Sequence, residues 1–483
     1  MWKRLEAREI KRVVRRRDSN GTSRSLPRPE LPPGTDLMPD IQHIVVLMME
    51  NHSFDNYLGM LAGRGEAFAL NPAGKPAAVN LRTNGDPVTA RHAAATVQAE
   101  HVPTQSWHAT HIQWNDGGCD GFVRSIEVTE PTFDATTPME YWSEADLPFY
   151  YGLARTFPLA DHWFCSCLGP TFPNRRFLIA GTAHGLIDDL PFGMVDHAPA
   201  GTIFDMLTEH DISWINYHNV SKVKTVLKRT LGTPGLIMLR RAVSVLRWFP
   251  PLIKAFQGNM SFTADLYPLG LARCVLHLRG TDQFFKDADN GTLPAVSIVD
   301  PDFGAYSEEN PQDISMGESF AAEVVNRVMH GKGWPHTLLI WLYDEHGGYY
   351  DHVPPPAATP PDDVEGRCLL STRPWLRALL RPFFKAEIAK IEAIDEGPHR
   401  YDRYGFRVPA VVISPYAKPD YVCSQVLDHT SVLKLIEQKW NLPPLTRRDA
   451  KAASPLDALD FDSPPAFLTP PVLPAPRAKW APS

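Results

Sequence analysis

A dense group of ionisable side chains follows one apolar stretch of the sequence. Residues 337–343 read TLLIWLY, and the next nine residues contain Asp344, Glu345, His346, Asp351 and His352. Adjacent carboxylates repel each other unless a cation or a shared proton relieves the repulsion. A hard metal ion is the simplest relief, so Asp344 and Glu345 are predicted metal ligands. The alternative interpretation is a solvated acidic turn after a core strand.

Glu50 and Asn51 repeat this arrangement earlier in the chain. They follow the apolar residues 41–49, and they offer one anionic and one neutral oxygen, a pairing typical of hard-cation sites. Together with Asp344 and Glu345 they form a predicted set of four ligands. Taken alone, Glu50 and Asn51 could also be an acid and a cap at a helix N-terminus.

Thr171 is the predicted nucleophile. It lies in the segment GPTFPNRR, residues 169–176, where a glycine and two prolines predict a turn ahead of a short helix over residues 177–185. A hydroxyl just before a helix N-terminus can hold a phosphoryl oxygen against backbone N–H groups, and a bound metal can activate it. Asn174 and Arg175 are predicted to bind the phosphoryl oxygens of a substrate. Alternatively, Thr171 only caps the helix.

Three histidines occur within eleven residues, at His101, His108 and His111. An imidazole can bind phosphate or donate a proton to a leaving group near neutral pH. Each histidine alone could equally be a surface or core residue, but the cluster predicts at least one functional histidine.

The elements that position these residues are predicted to be strands of a parallel α/β sheet. Four apolar runs read as buried strands, at residues 41–49, 293–299, 337–343 and 408–414. Helical spacing over residues 317–330 would return the chain to the strand before Asp344, and a second amphipathic helix, capped by Thr430 or Ser431, is predicted over residues 432–440. Ligands bind at the carboxyl ends of such strands, where the predicted metal ligands lie.

The 483 residues predict one large domain with flanking segments. Residues 1–40 are predicted to be a basic, flexible segment, residues 41–445 the domain, and residues 446–483 a Pro-rich tail that is irregular on the surface or disordered. Residues 1–20 are expected to be a solvated or disordered tail, with a short basic helix on a membrane or nucleic acid as the alternative. Insertions are expected at about residues 218–262 and 357–404.

The composition of the chain indicates which classes of partner and which cell compartment are expected. The net charge of −7 argues against a general nucleic-acid binder. Neither a secretory signal nor a run of 18 apolar residues is visible, so a cytoplasmic protein is expected. The basic stretch 222–254 could form amphipathic helices that contact an anionic membrane surface, or it could be an insertion with a solvated basic face.

Five ordered motifs carry a resemblance to a known family. They are ENHSFD at residues 50–55, TFPNR at 171–175, YDEHGGYYDHV at 343–353, GFRVPAVVISP at 405–415 and DHTS at 428–431. This pattern resembles the phosphoesterase family of bacterial phosphatidylcholine-type phospholipases C and related acid phosphatases. The resemblance implies an alkaline-phosphatase-like three-layer α/β fold with a central, mostly parallel sheet.

The same resemblance implies a mechanism and a ligand set. Phosphate esters would be hydrolysed through a phosphorylated Thr171, with its oxygen and the side chains of Glu50, Asn51, Asp344 and Glu345 around one divalent metal ion. The ion could be Mg, Ca, Mn, Zn or Fe. Asp428 and His429 receive no catalytic role, because helix capping explains their motif.

Two departures from the family pattern concern histidines. Gln105 stands where the family often has a histidine before Ser-Trp, and Asn310 precedes Pro311 where the family often has His-Pro-Pro. The remaining candidates for the general acid are His111, His346 and His352.

The sequence therefore predicts a metal-dependent phosphate-ester hydrolase, with phospholipase C-like cleavage of phospholipids. Two alternatives remain open: an acid phosphatase acting on monoesters, and a catalytically weakened lipid- or phosphate-binding protein. A sulfatase is disfavoured although Thr171, Pro173 and Arg175 match its signature, because threonine cannot form formylglycine.

Overall fold

An eight-stranded sheet forms the centre of the computed structural model, with strands in the order β12-β6-β11-β10-β1-β9-β7-β8. The structure describes residues 2–19, 25–100, 103–189, 198, 200–219, 271–367, 375, 378, 381–382 and 400–481. The strands of this sheet are β1 (His43–Met49), β6 (Leu159–Ala160), β7 (Trp214–His218), β8 (Leu278–Gly280), β9 (Val296–Val299), β10 (Thr337–Tyr343), β11 (Ala410–Ile413) and β12 (Val422–Cys423). Short strands outside it are β2 (Val79–Leu81), β3 (Pro87–Thr89), β4 (Arg91–His92) and β5 (Glu140–Tyr141).

The sheet is mostly parallel, as predicted. β1 pairs in parallel with both β10 and β9, and β7 pairs in parallel with β9 and β8. The exception is β11, which runs antiparallel to β10 and to β6. All seven residues of β10 are buried, so both faces of the sheet are covered at its centre.

Helices form the covering layers. They are α1 (Trp2–Ser19), α2 (Phe54–Leu58), α3 (Trp107–Trp114), α4 (Phe122–Thr129), α5 (Pro148–Thr156), α6 (Thr171–Ala180), α7 (Ile203–Glu209), α8 (Leu271–Cys274), α9 (Thr281–Asn290), α10 (Ile314–His330), α11 (His429–Lys439) and α12 (Arg447–Lys451). Helix α10 contacts α5 and α9, whereas α6 contacts α7 and α11. The predicted α/β fold class is confirmed.

The predicted core elements match the observed ones closely. The strand predicted at 337–343 is β10, and those predicted at 41–49, 293–299 and 408–414 contain the shorter β1, β9 and β11. The helix predicted at 317–330 is α10, which begins three residues earlier. The helix predicted at 432–440 begins at His429, and its N-cap is Asp428 instead of Thr430 or Ser431. The reason is that Asp428 and Ser431 form a reciprocal capping box.

The expectation of a solvated N-terminal tail is wrong for residues 2–19. They form α1, which contacts α7 and α8. The apolar residues Ile10 and Val13 share one face of the helix and are buried there, which offsets the weak helix-forming tendency of an isolated, highly charged segment.

The Pro-rich C-terminal segment is irregular after a short 3₁₀ turn at Pro455–Ala458, and it lies on the domain surface. The Trp334 indole donates a hydrogen bond to the Phe467 carbonyl at 2.9 Å, and Tyr306 donates one to the Ala481 carbonyl at 2.9 Å. The basic stretch 222–254, most of the insertion at 357–404 and His101 lie outside the described residues. Within the described part of the chain, no helix is long and apolar enough to cross a membrane.

Candidate active site at the ends of β1 and β10

The parallel register of β1 and β10 brings the two predicted ligand pairs together. Met49 lies opposite Tyr343, so Glu50 and Asn51 leave one strand where Asp344 and Glu345 leave the other. The Asn51 backbone N–H donates to Asp344 Oδ1 at 3.2 Å. All four side chains are buried. The sequence could only suggest that the two pairs are adjacent. The pairing of β1 with β10 in the sheet is what brings them together.

The turns after both strands interlock closely. Asn51 has a φ of 71°, in the left-handed region that asparagine tolerates better than most residues. Gly347 has a φ of 66°, and a Cβ there would lie 2.0 Å from the Asn51 carbonyl oxygen. Only glycine fits this position, and its N–H holds Glu345 Oε2 at 2.7 Å.

Thr171 completes the group as the first residue of α6. Its hydroxyl lies 3.4 Å from Asn51 Oδ1, and only 6% of the residue is exposed. The helix predicted at 177–185 is thus wrong in its bounds, because α6 begins at Thr171 and ends before Gly181, which has a φ of 68°. Pro170 and Pro173 do not interrupt it. Proline has no N–H, but the N–H groups of the first helical turn make no hydrogen bond within the helix, so the missing group costs nothing there.

Asn174 holds the loop before Thr171. Its amide nitrogen donates to the carbonyls of Gly169 and Pro170 at 2.8 and 3.0 Å, and its oxygen accepts from the Cys167 N–H at 3.0 Å. These contacts fix the segment that presents Thr171, and the role of Asn174 in substrate binding stays a prediction.

Arg175 lies among the carboxylates. Its Nε donates to Asp344 Oδ2 at 2.9 Å, and its terminal nitrogens lie 3.6 Å from Asp300 and 3.9 Å from Glu50. The side chain is almost completely buried, and these acids hold the pKa of the guanidinium above its usual value despite burial. In this structure Arg175 is the counter-charge for these acids, and its role in substrate binding stays a prediction.

Two further acids belong to the site. Asp300 follows β9, and Glu309 lies in the loop that leads to α10. Partial burial and the Asp344 charge raise the pKa of Glu309 to about 7. Neither residue was among those predicted for the site from the sequence. The signal that could have found both is their position after β9, the parallel neighbour of β1.

The site contains more negative charge than Arg175 can balance. Burial and neighbouring carboxylates raise the pKa values of Glu50 and Glu345 well above the usual range. Among the described residues, Glu50 Oε2 and Glu345 Oε1 are buried without a hydrogen-bond partner. Buried oxygens without partners are costly, and a cation would satisfy both of them.

These donors fit the divalent ion that the family resemblance implies. Within the described part of the chain, Glu50 Oε2 and Glu345 Oε1 have no hydrogen-bond partner. The Asn51 N–H bonds to Asp344, and the Thr171 hydroxyl bonds to Asn51. In the described ranges, no three or more His, Cys, Asp or Glu side chains converge as a ready-made metal site. A full ligand set here would therefore need the neutral oxygens of Asn51 and Thr171 as well.

His346 lies beside Glu345. Its Nε2 lies 2.7 Å from Gln113 Oε1, and its Nδ1 lies 3.3 Å from Glu345 Oε2. Complete burial lowers the pKa of His346 to about 3, so its imidazole is neutral near physiological pH. His429, which received no role from the sequence, donates from Nε2 to the Asp344 carbonyl at 2.6 Å. It therefore supports the backbone of a predicted ligand.

The other histidines lie on different elements. His111 is half-buried on α3, and its Nδ1 donates to the Trp107 carbonyl at 2.7 Å. The Trp107 ring is 3.0 Å from the position that a Cβ on Gly169 would take, which places α3 against the loop before Thr171. His108 is also half-buried on α3.

His352 belongs to a second cluster, which we call the Arg407 cluster and which consists of Asp55, Asp351, His352 and Arg407. The Nδ1 atom of His352 lies 2.6 Å from Asp55 Oδ2. Arg407 donates to Asp351 Oδ1 at 2.9 Å and to Asp55 Oδ1 at 3.1 Å. No contact among the described residues joins His352 to Thr171, so its predicted catalytic role is not supported by this geometry.

Comparison with known proteins identifies a family and several relatives of this chain. The model of the phosphoesterase family matches residues 41–443. The chain is similar to phospholipase C B of Mycobacterium tuberculosis, with 31% identity over 460 residues that cover 88% of this chain and 79% of the relative. It is also similar to non-specific phospholipase C6 of Arabidopsis thaliana, with 28% identity covering 90% and 75% of the two chains. Non-hemolytic phospholipase C of Burkholderia pseudomallei is 29% identical, covering 84% and 56%.

Proposed function

The chain belongs to the phosphoesterase family and is a phosphoric ester hydrolase, and we propose that it cleaves phospholipids in the manner of a phospholipase C, with Thr171 as the nucleophile. Relatives from bacteria and a plant that carry the name phospholipase C support this class of substrate. The observation that carries the proposal is the position of Thr171, at the N-terminus of α6 and 3.4 Å from Asn51 in the carboxylate site.

The proposed reaction has two displacements at phosphorus. Thr171 Oγ1 attacks the phosphorus atom, the bond to the glycerol oxygen breaks, and the leaving diacylglycerol oxygen takes a proton. Water then attacks the phosphothreonine and releases the phosphorylated head group. In the first turn of α6 the Phe172 N–H donates to Asp189 Oδ1 at 2.8 Å and Pro173 has no N–H, so the positive end of the helix dipole is proposed to stabilise the charge on the phosphoryl oxygens.

We propose that Glu50, Asn51, Asp344, Glu345 and Thr171 hold one divalent ion. When bound, such an ion lowers the pKa of a hydroxyl and neutralises charge on a transferring phosphoryl group. Arg175 fixes Asp344 from the other side, and Asn174 fixes the loop that presents Thr171. Oxygen ligands favour Mg, Ca or Mn, and Zn and Fe remain compatible.

We propose that His111 supplies the proton for the leaving group and not His346, because the His346 imidazole, with its pKa lowered to about 3, is neutral near physiological pH. His111 lies on α3 beside the loop before Thr171, and His346 follows Glu345 directly. His352 is a weaker candidate, because its Nδ1 is already bonded to Asp55. The histidine variants His111→Gln and His346→Gln, assayed across pH, separate these roles: loss of the basic limb of the rate profile identifies the acid.

The decisive experiment uses purified protein stripped with a chelator and re-supplied with single divalent metals. Turnover is measured on phosphatidylcholine and on p-nitrophenyl phosphate, for the wild type, Thr171→Ala and the control Thr156→Ala at the end of α5. Metal-dependent release of phosphocholine that only Thr171→Ala abolishes supports the proposal. Turnover of the monoester alone assigns an acid phosphatase instead, and lipid binding without turnover of either substrate contradicts the proposed activity.

A further inference from the structure

Helix α1 is fixed to the domain along one face. Ile10 and Val13 are buried, and a Cβ on Gly201 would lie 2.3 Å from Val13 Cγ1. This close approach joins α1 to the loop that leads into α7. Ile10 and Val13 are thus used for packing against the protein.

Polar contacts fix the orientation of α1 further. Glu6 lies 2.8 Å from Nε2 of His277, which follows α8, and Arg17 lies 2.5 Å from Glu209 at the end of α7. These two contacts are near opposite ends of the helix. The helix therefore presents a constant face to solvent.

That outward face is strongly basic. Seven of its residues are exposed cations: Lys3, Arg4, Arg8, Lys11, Arg12, Arg15 and Arg16. Arg4, Arg8, Lys11 and Arg15 are spaced by three or four residues, and the other three cations are each adjacent in the sequence to one of these four, so the seven form one broad basic face along the helix. The segment Trp2–Ser19 contains eight basic and three acidic residues, a net charge of +5, whereas the whole chain has a net charge of −7. This face is therefore opposite in sign to the rest of the molecule.

We propose that the outward face of α1, which we call the basic face, docks the protein on an anionic phospholipid surface. The choice of a lipid partner rests on the proposed function, because a phospholipase C must act at a membrane. Lysine and arginine residues near an anionic bilayer each strengthen binding by roughly fivefold. Because the remainder of the chain has a net negative charge, an orientation with α1 towards the lipid is favoured over one that presents acidic surface.

The mode of docking follows from the packing of α1. Amphipathic helices usually bury an apolar face between lipid head groups. Here Ile10 and Val13 are already buried against the domain, so docking is electrostatic, without insertion of the helix. Such binding depends on the fraction of anionic lipid and weakens strongly with salt.

The test measures co-sedimentation with vesicles of phosphatidylcholine alone or mixed with phosphatidylserine. All proteins carry Thr171→Ala so that the lipid is not consumed. One variant changes Arg4, Arg8, Lys11 and Arg15 to glutamine, and the matched control changes four exposed cations elsewhere, Lys75, Arg279, Lys286 and Lys332, to glutamine. Thermal unfolding confirms that each protein is folded.

We expect the α1 variant to bind mixed vesicles at least about a hundredfold more weakly, with little change in the control. Binding of the parent protein should disappear at high salt and on phosphatidylcholine alone. Equal binding by the α1 variant and the control would overturn the proposal, and so would tighter binding of the parent protein to duplex DNA than to mixed vesicles at the same salt.

Docking and catalysis fail in distinguishable ways. With Thr171 restored, the α1 variant should hydrolyse dispersed substrate at the wild-type rate and lose rate only on anionic vesicles. A protein that binds vesicles through α1 but cleaves no phospholipid would contradict the proposed function while the docking surface stands. Cleavage of anionic vesicles at the wild-type rate by the α1 variant would contradict the docking surface alone.

Discussion

Two buried carboxylate clusters are built from the same pair of strand ends, and they differ in how their charge is balanced. The site cluster takes Glu50 from the end of β1 and Asp344 from the end of β10. The Arg407 cluster takes Asp55 and Asp351 from slightly further along the same two segments. Neighbouring positions on one scaffold thus produce two different electrostatic environments.

The Arg407 cluster is satisfied internally. Arg407 contacts both acids and also donates to the carbonyls of Glu66 and Asp161 at 2.9 and 3.1 Å. In the site cluster, by contrast, Arg175 is surrounded by several acids, and Glu50 Oε2 and Glu345 Oε1 have no partner among the described residues. We infer that the first cluster stabilises the fold, whereas the second is held ready for a cation and a reacting group.

Loss of the Thr171 hydroxyl should have the largest effect on activity, and it should hardly change stability. Thr171→Ala is expected to lower kcat by about 10³-fold or more, because no other hydroxyl can form the covalent intermediate. Its free energy of unfolding should change by less than about 1 kcal/mol, since the hydroxyl makes only one long hydrogen bond. Steady-state kinetics and urea unfolding check this, and a variant with more than a tenth of wild-type kcat would exclude Thr171 as nucleophile.

Removal of the central cation of the Arg407 cluster should act on stability instead. Arg407→Met leaves Asp55 and Asp351 buried without their partner, which should cost about 3–5 kcal/mol in the free energy of unfolding. Activity per folded molecule should remain. Arg367→Met, a substitution of an exposed arginine, is the control. A stable but inactive Arg407→Met protein would show that this cluster takes part in catalysis.

A matched pair of amide substitutions sharpens the comparison. Glu345→Gln removes an unbalanced charge, so it should lower kcat/KM by about a hundredfold without loss of stability. Asp351→Asn removes a partner of Arg407, so it should lose about 2–3 kcal/mol of stability and keep its activity. Chemical denaturation and kinetics on both proteins check the pair. The same pattern in both variants would contradict the division between the clusters.

Metal addition should stabilise only the site cluster. A divalent ion at a hundredfold excess over its Kd should raise the free energy of unfolding by about 2–3 kcal/mol, because it binds the folded state alone. Glu345→Gln should lose most of this gain, whereas Asp351→Asn should retain it. Thermal unfolding after chelation and after re-addition of metal measures the effect. No stabilisation of the wild type by any divalent ion would argue against a metal at this site.

The smallest expected effect is the pH dependence of the Arg407 cluster. The Asp55 carboxylate raises the pKa of His352 above its usual value, although burial opposes this. A group whose pKa is raised on folding adds stability below its ordinary pKa, and this stability is lost as pH rises through the folded-state pKa. His352→Gln should therefore differ from the wild type by less than about 1 kcal/mol at acidic pH and converge with it at alkaline pH. Unfolding curves that diverge with rising pH would contradict this.

Much of the core was predictable, because a run of neighbouring apolar residues is enough to indicate a buried strand. The run TLLIWLY is β10 over its whole length, and the acids that follow it do lie at a strand end. The start of α6 was not predicted correctly, since Pro170 and Pro173 were interpreted as turn residues although both fit at a helix start. The ion pairs of Arg175 were not predictable either, because its acid partners Glu50, Asp300 and Asp344 come from distant segments.

Local patterns in the sequence determined the residue types and strand ends on which the site depends, namely Glu50, Asn51, Asp344 and Glu345, and they identified Thr171 as the candidate nucleophile. The tertiary structure decided which charges are balanced. Arg175 and Arg407 lie 232 positions apart in the chain, yet each is buried against acids from the same two strands. Charge balance depends on distances across the fold and on the loss of water around buried groups, which no local pattern records.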